Sequence, residues 1–135
     1  MKTVDLMVGD YVNVIRWDYE ELIKPFLKPL SLEDLAKIEL GSLDVEPVYL
    51  TDEILHKVLS NGCVEFDPYR WRLGTNKNGI EVCFWDWTIE VKDWEKKGVW
   101  TYVCDCQYLH QLQHMVKLFD LDILYYGGLW SVNHD

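Results

Sequence analysis

Hydrophobic and polar residues alternate with a period of two in the first third of this chain. The alternating segment Tyr11–Ile15 follows a turn signal at Gly9, an arrangement typical of small SH3-like barrels. Val45–Leu50 alternates in the same way, and Pro47, which has no amide hydrogen to donate, confines that strand to a sheet edge. Residues 1–50 are therefore predicted to form a β-rich subregion.

Two short helical segments are predicted within this subregion. Asp18–Lys24 is compatible with a helical turn, which must end before Pro25 because the residue preceding a proline is pushed out of the α region. Ser31, with Asp34 three positions later, has the spacing of a capping box. A helix over Leu32–Lys37 is the expected result.

The pattern of the remaining chain, residues 51–135, predicts the order α-β-β-β-α. Thr51 is a good N-cap, and acidic residues follow it in the first helical turn. Turn signals then separate three alternating segments, which indicates an antiparallel meander closed by an amphipathic helix. The predicted elements are Thr51–Ser60, Tyr69–Leu73, Ile80–Val91, Val99–Cys104 and Tyr108–Phe119. The whole chain is interpreted as one α+β domain over residues 1–135.

Strict alternation along the middle strand also predicts where its tryptophans point. Trp85 and Trp87 share a face with Cys83, Ile89 and Val91. The last strand adds Trp100 and Tyr102 to the same face, which the closing helix is expected to cover. These aromatic residues are therefore predicted to pack in the core.

Composition and charge limit the class of protein. The chain has 135 residues and a formal net charge of -10, which disfavours phosphate backbones and anionic membranes as partners. Asp5 and Asp10 interrupt any apolar signal segment near the start, and no apolar run of membrane-spanning length occurs. A cytoplasmic protein is expected, with its four cysteines as buried thiols rather than disulfides.

Two histidines four residues apart, His110 and His114, have the spacing that zinc peptidases place on one face of a helix. Gln111 stands where those enzymes carry a catalytic glutamate, and an amide cannot accept the proton from a metal-bound water. A helical wheel places both histidines opposite the apolar stripe, so they are expected to face solvent. They are weak metal candidates only, and no cofactor is predicted.

Trp94 is the exception among the tryptophans, because it lies beside Lys92, Lys96 and Lys97 at a predicted hairpin tip. An exposed aromatic ring next to lysines is a candidate interaction site. Three lysines do not offset the charge of the whole chain, so nucleic-acid binding is disfavoured. Trp94, Lys96 and Lys97 remain weak candidates for contact with another protein.

Four segments cover much of the chain in the order Asp5–Val12, Ser31–Glu39, Val45–Leu55 and Tyr108–His114. Taken together, they resemble a family of short uncharacterised bacterial and prophage-type proteins. The resemblance implies a small cytoplasmic protein of a mobile-element kind. It carries over neither an activity nor catalytic residues.

Three functions follow as hypotheses from these observations. The leading one is a non-catalytic interaction or accessory protein that binds another protein through an acidic or aromatic surface. The first alternative is a hydrolase that uses His110 and His114 with a metal, or a pair of carboxylates. The second is a nucleic-acid-binding regulator, which would show salt-sensitive binding.

Overall fold

A computed structural model describes residues 6–17, 20–59, 63–67, 70–96, 98–121 and 123. Within these ranges the chain is an α+β protein with three α-helices, a three-stranded antiparallel sheet and a larger antiparallel sheet. No helix among these residues is long and apolar enough to cross a membrane. The elements in chain order are β1 (Tyr11–Trp17), β2 (Glu20–Pro29), α1 (Leu32–Leu40), β3 (Leu43–Pro47), α2 (Asp52–Val58), β4 (Val64–Asp67), β5 (Arg70–Thr75), β6 (Ile80–Trp85), β7 (Thr88–Asp93), β8 (Thr101–Asp105) and α3 (Leu109–Leu118).

The small sheet has the strand order β2-β1-β3 and a hydrophobic cluster of its own. Leu35 and Ile38 of α1 pack against that cluster, which makes it an open sheet with a helix on it rather than an SH3-like barrel. The position of Pro47 on an edge strand is confirmed. The buried members of this small cluster are Leu6, Val12, Val14, Leu30, Leu43 and Val45.

The helical turn predicted over Asp18–Lys24 is wrong for the part that the structure describes, because residues 20–29 form strand β2. Pairing with β1 places Phe26 opposite Val14, and this packing outweighs the weak local preference for a helix. Since β2 is an edge strand, Pro25 does not break the sheet.

The start of α1 has the predicted capping box. The Ser31 hydroxyl accepts a hydrogen bond from the Asp34 amide at 3.1 Å, and the Asp34 carboxylate accepts one from the Ser31 amide at 2.9 Å. Lys28 adds an ion pair, with its Nζ 2.7 Å from Asp34 Oδ2. The helix continues to Leu40, beyond the predicted end, and stops at Gly41, whose φ of 82° suits a residue without a side chain.

Asp34 should make the folded protein sensitive to acid. Burial alone would raise its pKa, but hydrogen bonds from Lys28 and Ser31 and the charge of Lys28 outweigh that effect and hold the pKa below its ordinary value of 3.8. A carboxyl group with a lowered pKa stabilises the fold above its ordinary pKa, and this contribution is lost as the pH falls through the folded value.

We therefore expect Asp34→Asn to cost about 1–2 kcal/mol of unfolding free energy at pH 7, as for loss of charge-assisted hydrogen bonds. The cost should shrink as the pH falls below the ordinary pKa of 3.8 and through the lower folded value, where the wild type loses the charge as well. Urea denaturation of both proteins across this pH range measures it. An unchanged cost at low pH would contradict the role of the charge.

The large sheet has the strand order β4-β5-β6-β7-β8, in which β5 to β8 form a four-stranded antiparallel meander and β4 lies at one edge. Helices α2 and α3 pack on one side of this sheet, called here the inner face, and enclose the main hydrophobic cluster with it. Its buried members from the sheet and these helices are Leu55, Val58, Trp71, Leu73, Val82, Phe84, Ile89, Leu109, Leu112 and Val116.

The single long strand predicted over Ile80–Val91 is in fact a hairpin of β6 and β7. Asp86 and Trp87 form its turn with positive φ angles of 51° and 58°. The turn interrupts the alternation, so that Val82 and Phe84 point into the main cluster, whereas Trp85 points away from it. The prediction that Trp85 packs in the core is therefore wrong.

The four cysteines are thiols, and Cys63, Cys83 and Cys106 are buried as predicted. Burial raises the pKa of the Cys106 thiol, and also that of Cys83 despite the opposing influence of Arg70. These side chains stay protonated at neutral pH and fill space as small apolar groups.

Candidate functional site

The predicted histidine pair lies between the main cluster and the N-terminal part of the chain. His110 is buried and stacks on Tyr108 with 5.8 Å between ring centroids, while His114 is half-buried. The prediction that both rings face solvent is wrong, because His110 packs beside Tyr108 and the turn before β1 contacts His114. Gln113 binds that turn: its Oε1 accepts the Tyr11 amide at 2.8 Å and its Nε2 donates to the Gly9 carbonyl at 3.0 Å.

Asp10 and His114 form a hydrogen-bonded pair at this contact. His114 Nε2 lies 2.9 Å and 2.8 Å from the two carboxylate oxygens of Asp10. The Asp10 carboxylate is buried and also accepts the Met7 amide at 2.8 Å. The pair therefore fastens the turn at residues 7–10 to α3.

A cavity of about 470 Å³ opens beside this pair. Asp10, Gln113, His114 and Lys117 supply polar atoms to its wall, and Met7 and Val116 are among its apolar lining residues. An imidazole bound to a carboxylate can act as a general base. Among the described lining residues, Asp10 and Asp120 carry carboxylates, and none is a serine, threonine or cysteine.

The metal candidates do not form a ligand set with a third residue here. The His110 and His114 rings lie 5.7 Å apart between centroids at an angle of 73°, and His114 Nε2 already contacts Asp10. Within the part of the chain that the structure describes, the cluster of three metal-binding side chains lies elsewhere, at Asp52, His56 and Glu65.

The side of the large sheet opposite the helices, called here the outer face, carries exposed aromatic side chains. Trp85 is 42% exposed, Tyr102 is 57% exposed, and Trp94, which follows β7, is 57% exposed. Cys83 lies on the same face of β6 as Trp85, because the two are two residues apart. Glu90 is the cross-strand partner of Cys83, and Tyr102 is the cross-strand partner of Glu90, so Tyr102 also lies on the outer face. The prediction that Tyr102 packs in the core is wrong, and the predicted exposure of Trp94 is confirmed.

Charged groups hold two of these rings in place. The Arg70 guanidinium lies 4.9 Å from the centre of the Trp85 ring, and the Lys92 ammonium lies 4.0 Å from that of Trp94. The Trp94 indole N–H also donates to Glu81 Oε2 at 2.8 Å. Such cation–π contacts and hydrogen bonds keep exposed rings in fixed orientations.

Acidic residues accompany the cations of the outer face. Arg72 Nε lies 2.9 Å from Glu81 Oε1, and Arg70 Nη2 lies 3.8 Å from Glu90 Oε2. Lys92 is directly across from Glu81. Lys96 is exposed next to Trp94, as predicted, and Lys97 lies outside the described residues. This surface is therefore aromatic and carries charges of both signs, with two of its cations in ion pairs, whereas the chain as a whole is acidic.

Comparison of the chain with models of protein families, with curated protein sequences and with solved structures finds no significant match.

Proposed function

We propose that this is a non-catalytic protein-interaction protein, and that it binds a partner protein through the outer face of the large sheet. The observation that carries the proposal is the exposure of Trp85, Trp94 and Tyr102 on the side of the sheet that does not pack against α2 and α3. Large exposed aromatic side chains grouped on one surface are typical of binding sites.

The composition of the outer face supports a protein partner. Tryptophan, tyrosine and arginine are the residues most enriched at the centres of protein interfaces, and this face combines Trp85 and Tyr102 with Arg70 and Arg72. Because Arg70 and Lys92 already restrain the indole rings, binding would cost little side-chain entropy.

The net charge of -10 on the chain and the ion pairs of the outer face argue against nucleic acid. Binding to a phosphate backbone depends on a net excess of cations. Here Arg72 pairs with Glu81 and Arg70 pairs with Glu90, so a phosphate would compete with these carboxylates. A partner protein that covers the rings would leave the ion pairs intact.

The proposal predicts loss of one specific partner when the rings are removed. The test variant combines Trp85→Ala, Trp94→Ala and Tyr102→Ala, and the control combines Leu32→Ala and Leu118→Ala, which are also exposed but lie on helices. We expect the wild type and the control to capture the same protein from a lysate of the native host in near-equal molar amounts. The triple variant should not capture it.

Calorimetry with the purified pair then measures affinity. Removal of one aromatic residue at the centre of an interface costs about 2 kcal/mol or more, which is about 30-fold in affinity, so the triple variant should bind at least about 30-fold more weakly. The proposal is wrong if the triple variant binds the partner as tightly as the control does. Salt-dependent binding of all three proteins to single-stranded DNA or RNA would favour the nucleic-acid alternative instead.

A further inference from the structure

Three side chains with metal-binding atoms converge where α2 meets the edge of the large sheet. Asp52 and His56 lie one helical turn apart on the same side of α2, and Glu65 reaches them from β4. One ligand atom of each residue lies within 4.8 Å of the other two. His56 Nε2 is 3.3 Å from Glu65 Oε1.

The imidazole of His56 is oriented by contacts that involve neither carboxylate. Its Nδ1 lies 2.7 Å from the backbone carbonyl oxygen of Asp52. Because a carbonyl oxygen only accepts, Nδ1 carries the hydrogen, and in the neutral ring the lone pair is on Nε2. This is the arrangement that metal-binding histidines adopt, with one nitrogen bonded to a backbone carbonyl and the other facing the ion.

Trp71 restrains the same ring from a second side. It is buried in the main cluster and contacts His56 edge to face, with 4.9 Å between ring centroids and 78° between planes. Trp71 is also the cross-strand partner of Glu65. The core of the protein therefore fixes the position of the imidazole relative to the strand that carries the glutamate.

We propose that Asp52, His56 and Glu65 bind a divalent cation of the zinc class, with water in the remaining coordination position. One imidazole nitrogen and two carboxylate oxygens are zinc ligands, whereas Mg²⁺ and Ca²⁺ prefer sites made of oxygen alone. Tetrahedral bonds of 2.0–2.1 Å place ligand atoms about 3.4 Å apart, close to the observed separation of His56 and Glu65. Rotation of the exposed Asp52 side chain would bring its carboxylate to the same spacing.

The site is independent of the proposed interaction function. Residue Glu65 pairs with Trp71 on the inner side of the sheet, whereas the proposed partner surface is the outer face. Zinc binding is measured on the isolated protein. The protein can therefore lack zinc binding and still bind the partner, or bind zinc without binding the partner.

The test uses the full chain without a histidine tag. Calorimetry measures binding in a titration with Zn²⁺, and the visible absorption of bound Co²⁺ measures it in a titration with Co²⁺. The test variants are His56→Ala and Glu65→Gln. The control is Glu53→Gln, which removes a negative charge from the same helix, where that side chain pairs with Lys57 instead.

We expect the wild type to bind one Zn²⁺ saturably, even in excess Mg²⁺. Loss of an outer-shell partner typically lowers metal affinity about 10–100-fold, and loss of a direct ligand should lower it at least as much. Both test variants should therefore bind Zn²⁺ at least about tenfold more weakly. The control should bind as the wild type does. Nitrogen NMR of the imidazoles should show a shift for His56 and none for His114.

Absence of saturable binding would overturn the proposal. Zn²⁺ binding by His56→Ala as tight as that of the wild type would also overturn it. An equal loss of Zn²⁺ affinity in the Glu53→Gln control would overturn it too, because it would indicate general attraction of the cation to acidic surface. Because both test side chains lie at the surface or half-buried, circular dichroism should show that the variants fold. The imidazole shift in the wild type tests the site without any substitution.

Discussion

Replacement of His114 by alanine should lower the free energy of unfolding by about 2–4 kcal/mol, although His114 is a member of neither hydrophobic cluster. The variant removes the nitrogen that contacts both oxygens of Asp10 and leaves that buried carboxylate with the Met7 amide as its donor. Burial of a carboxylate is costly unless its oxygens keep their hydrogen-bond partners.

A double-mutant cycle isolates this interaction. Asp10→Ala should cost a similar amount, and the combined variant should cost less than the sum of the two, with a coupling energy of about 1–3 kcal/mol. Lys117→Ala, an exposed change one turn further along α3, is the matched control and should stay within about 0.5 kcal/mol of the wild type. Additive losses in urea denaturation would show that the pair does not act as a unit.

Phe84→Ala and Trp85→Ala should differ sharply in their effect on stability, and they test the position of the turn at Asp86 and Trp87. Phe84 is fully buried in the main cluster, so its truncation should cost about 3–5 kcal/mol. Trp85 is partly exposed on the outer face, where truncation removes mainly its contact with Arg70 and should cost about 1 kcal/mol.

Thermal and urea denaturation of both variants measure the contrast. Uninterrupted alternation along one long strand would give the opposite order, with Trp85→Ala as the severe change. Phe84→Leu is a useful companion because it retains most of the apolar volume and should recover much of the loss. A Trp85→Ala variant less stable than Phe84→Ala would therefore contradict the hairpin.

The helix caps were predictable from the sequence because the physical cause is local. Ser31 with Asp34, and Thr51 ahead of Asp52, satisfy the first amide groups of their helices through neighbours three residues away. The α+β class followed from the same local patterns. Boundaries were less accurate, since α1 continues to Leu40, where Gly41 provides the stop.

The turn at Asp86 and Trp87 was not predictable in the same way. Two-residue hairpin turns with positive φ are usually signalled by Asn-Gly or Asp-Gly, and here a tryptophan occupies the second position. Its indole N–H donates to the Leu50 carbonyl at 2.7 Å, a long-range contact that helps to hold the turn. Missing the turn moved Trp85 to the wrong face, and a shift in the pairing of β7 with β8 between Ile89 and Glu90 did the same for Tyr102.

The positions of His110, His114 and His56 depended on contacts between distant segments. A helical wheel identifies one packed side of α3, but the turn at Gly9 and Asp10 packs on the other side from more than one hundred residues away. The proposed metal site joins His56 to Glu65 across two elements, which no spacing along one helix reveals. The spacing of His110 and His114 along α3 was therefore predictable, whereas the contacts that cover the two rings were not.

The presence of two separate hydrophobic clusters has a consequence for how the native state fluctuates. The two clusters share no buried residue. The two parts of the chain are joined by Leu27 of β2, which belongs to the main cluster, and by the contacts of Gln113 and His114 with the turn before β1. The small sheet with α1 can therefore open as one cooperative unit while the large sheet stays folded. Native-state hydrogen exchange should show the amides of β1 and β3 opening together, at a lower free energy than those of β6 and β7.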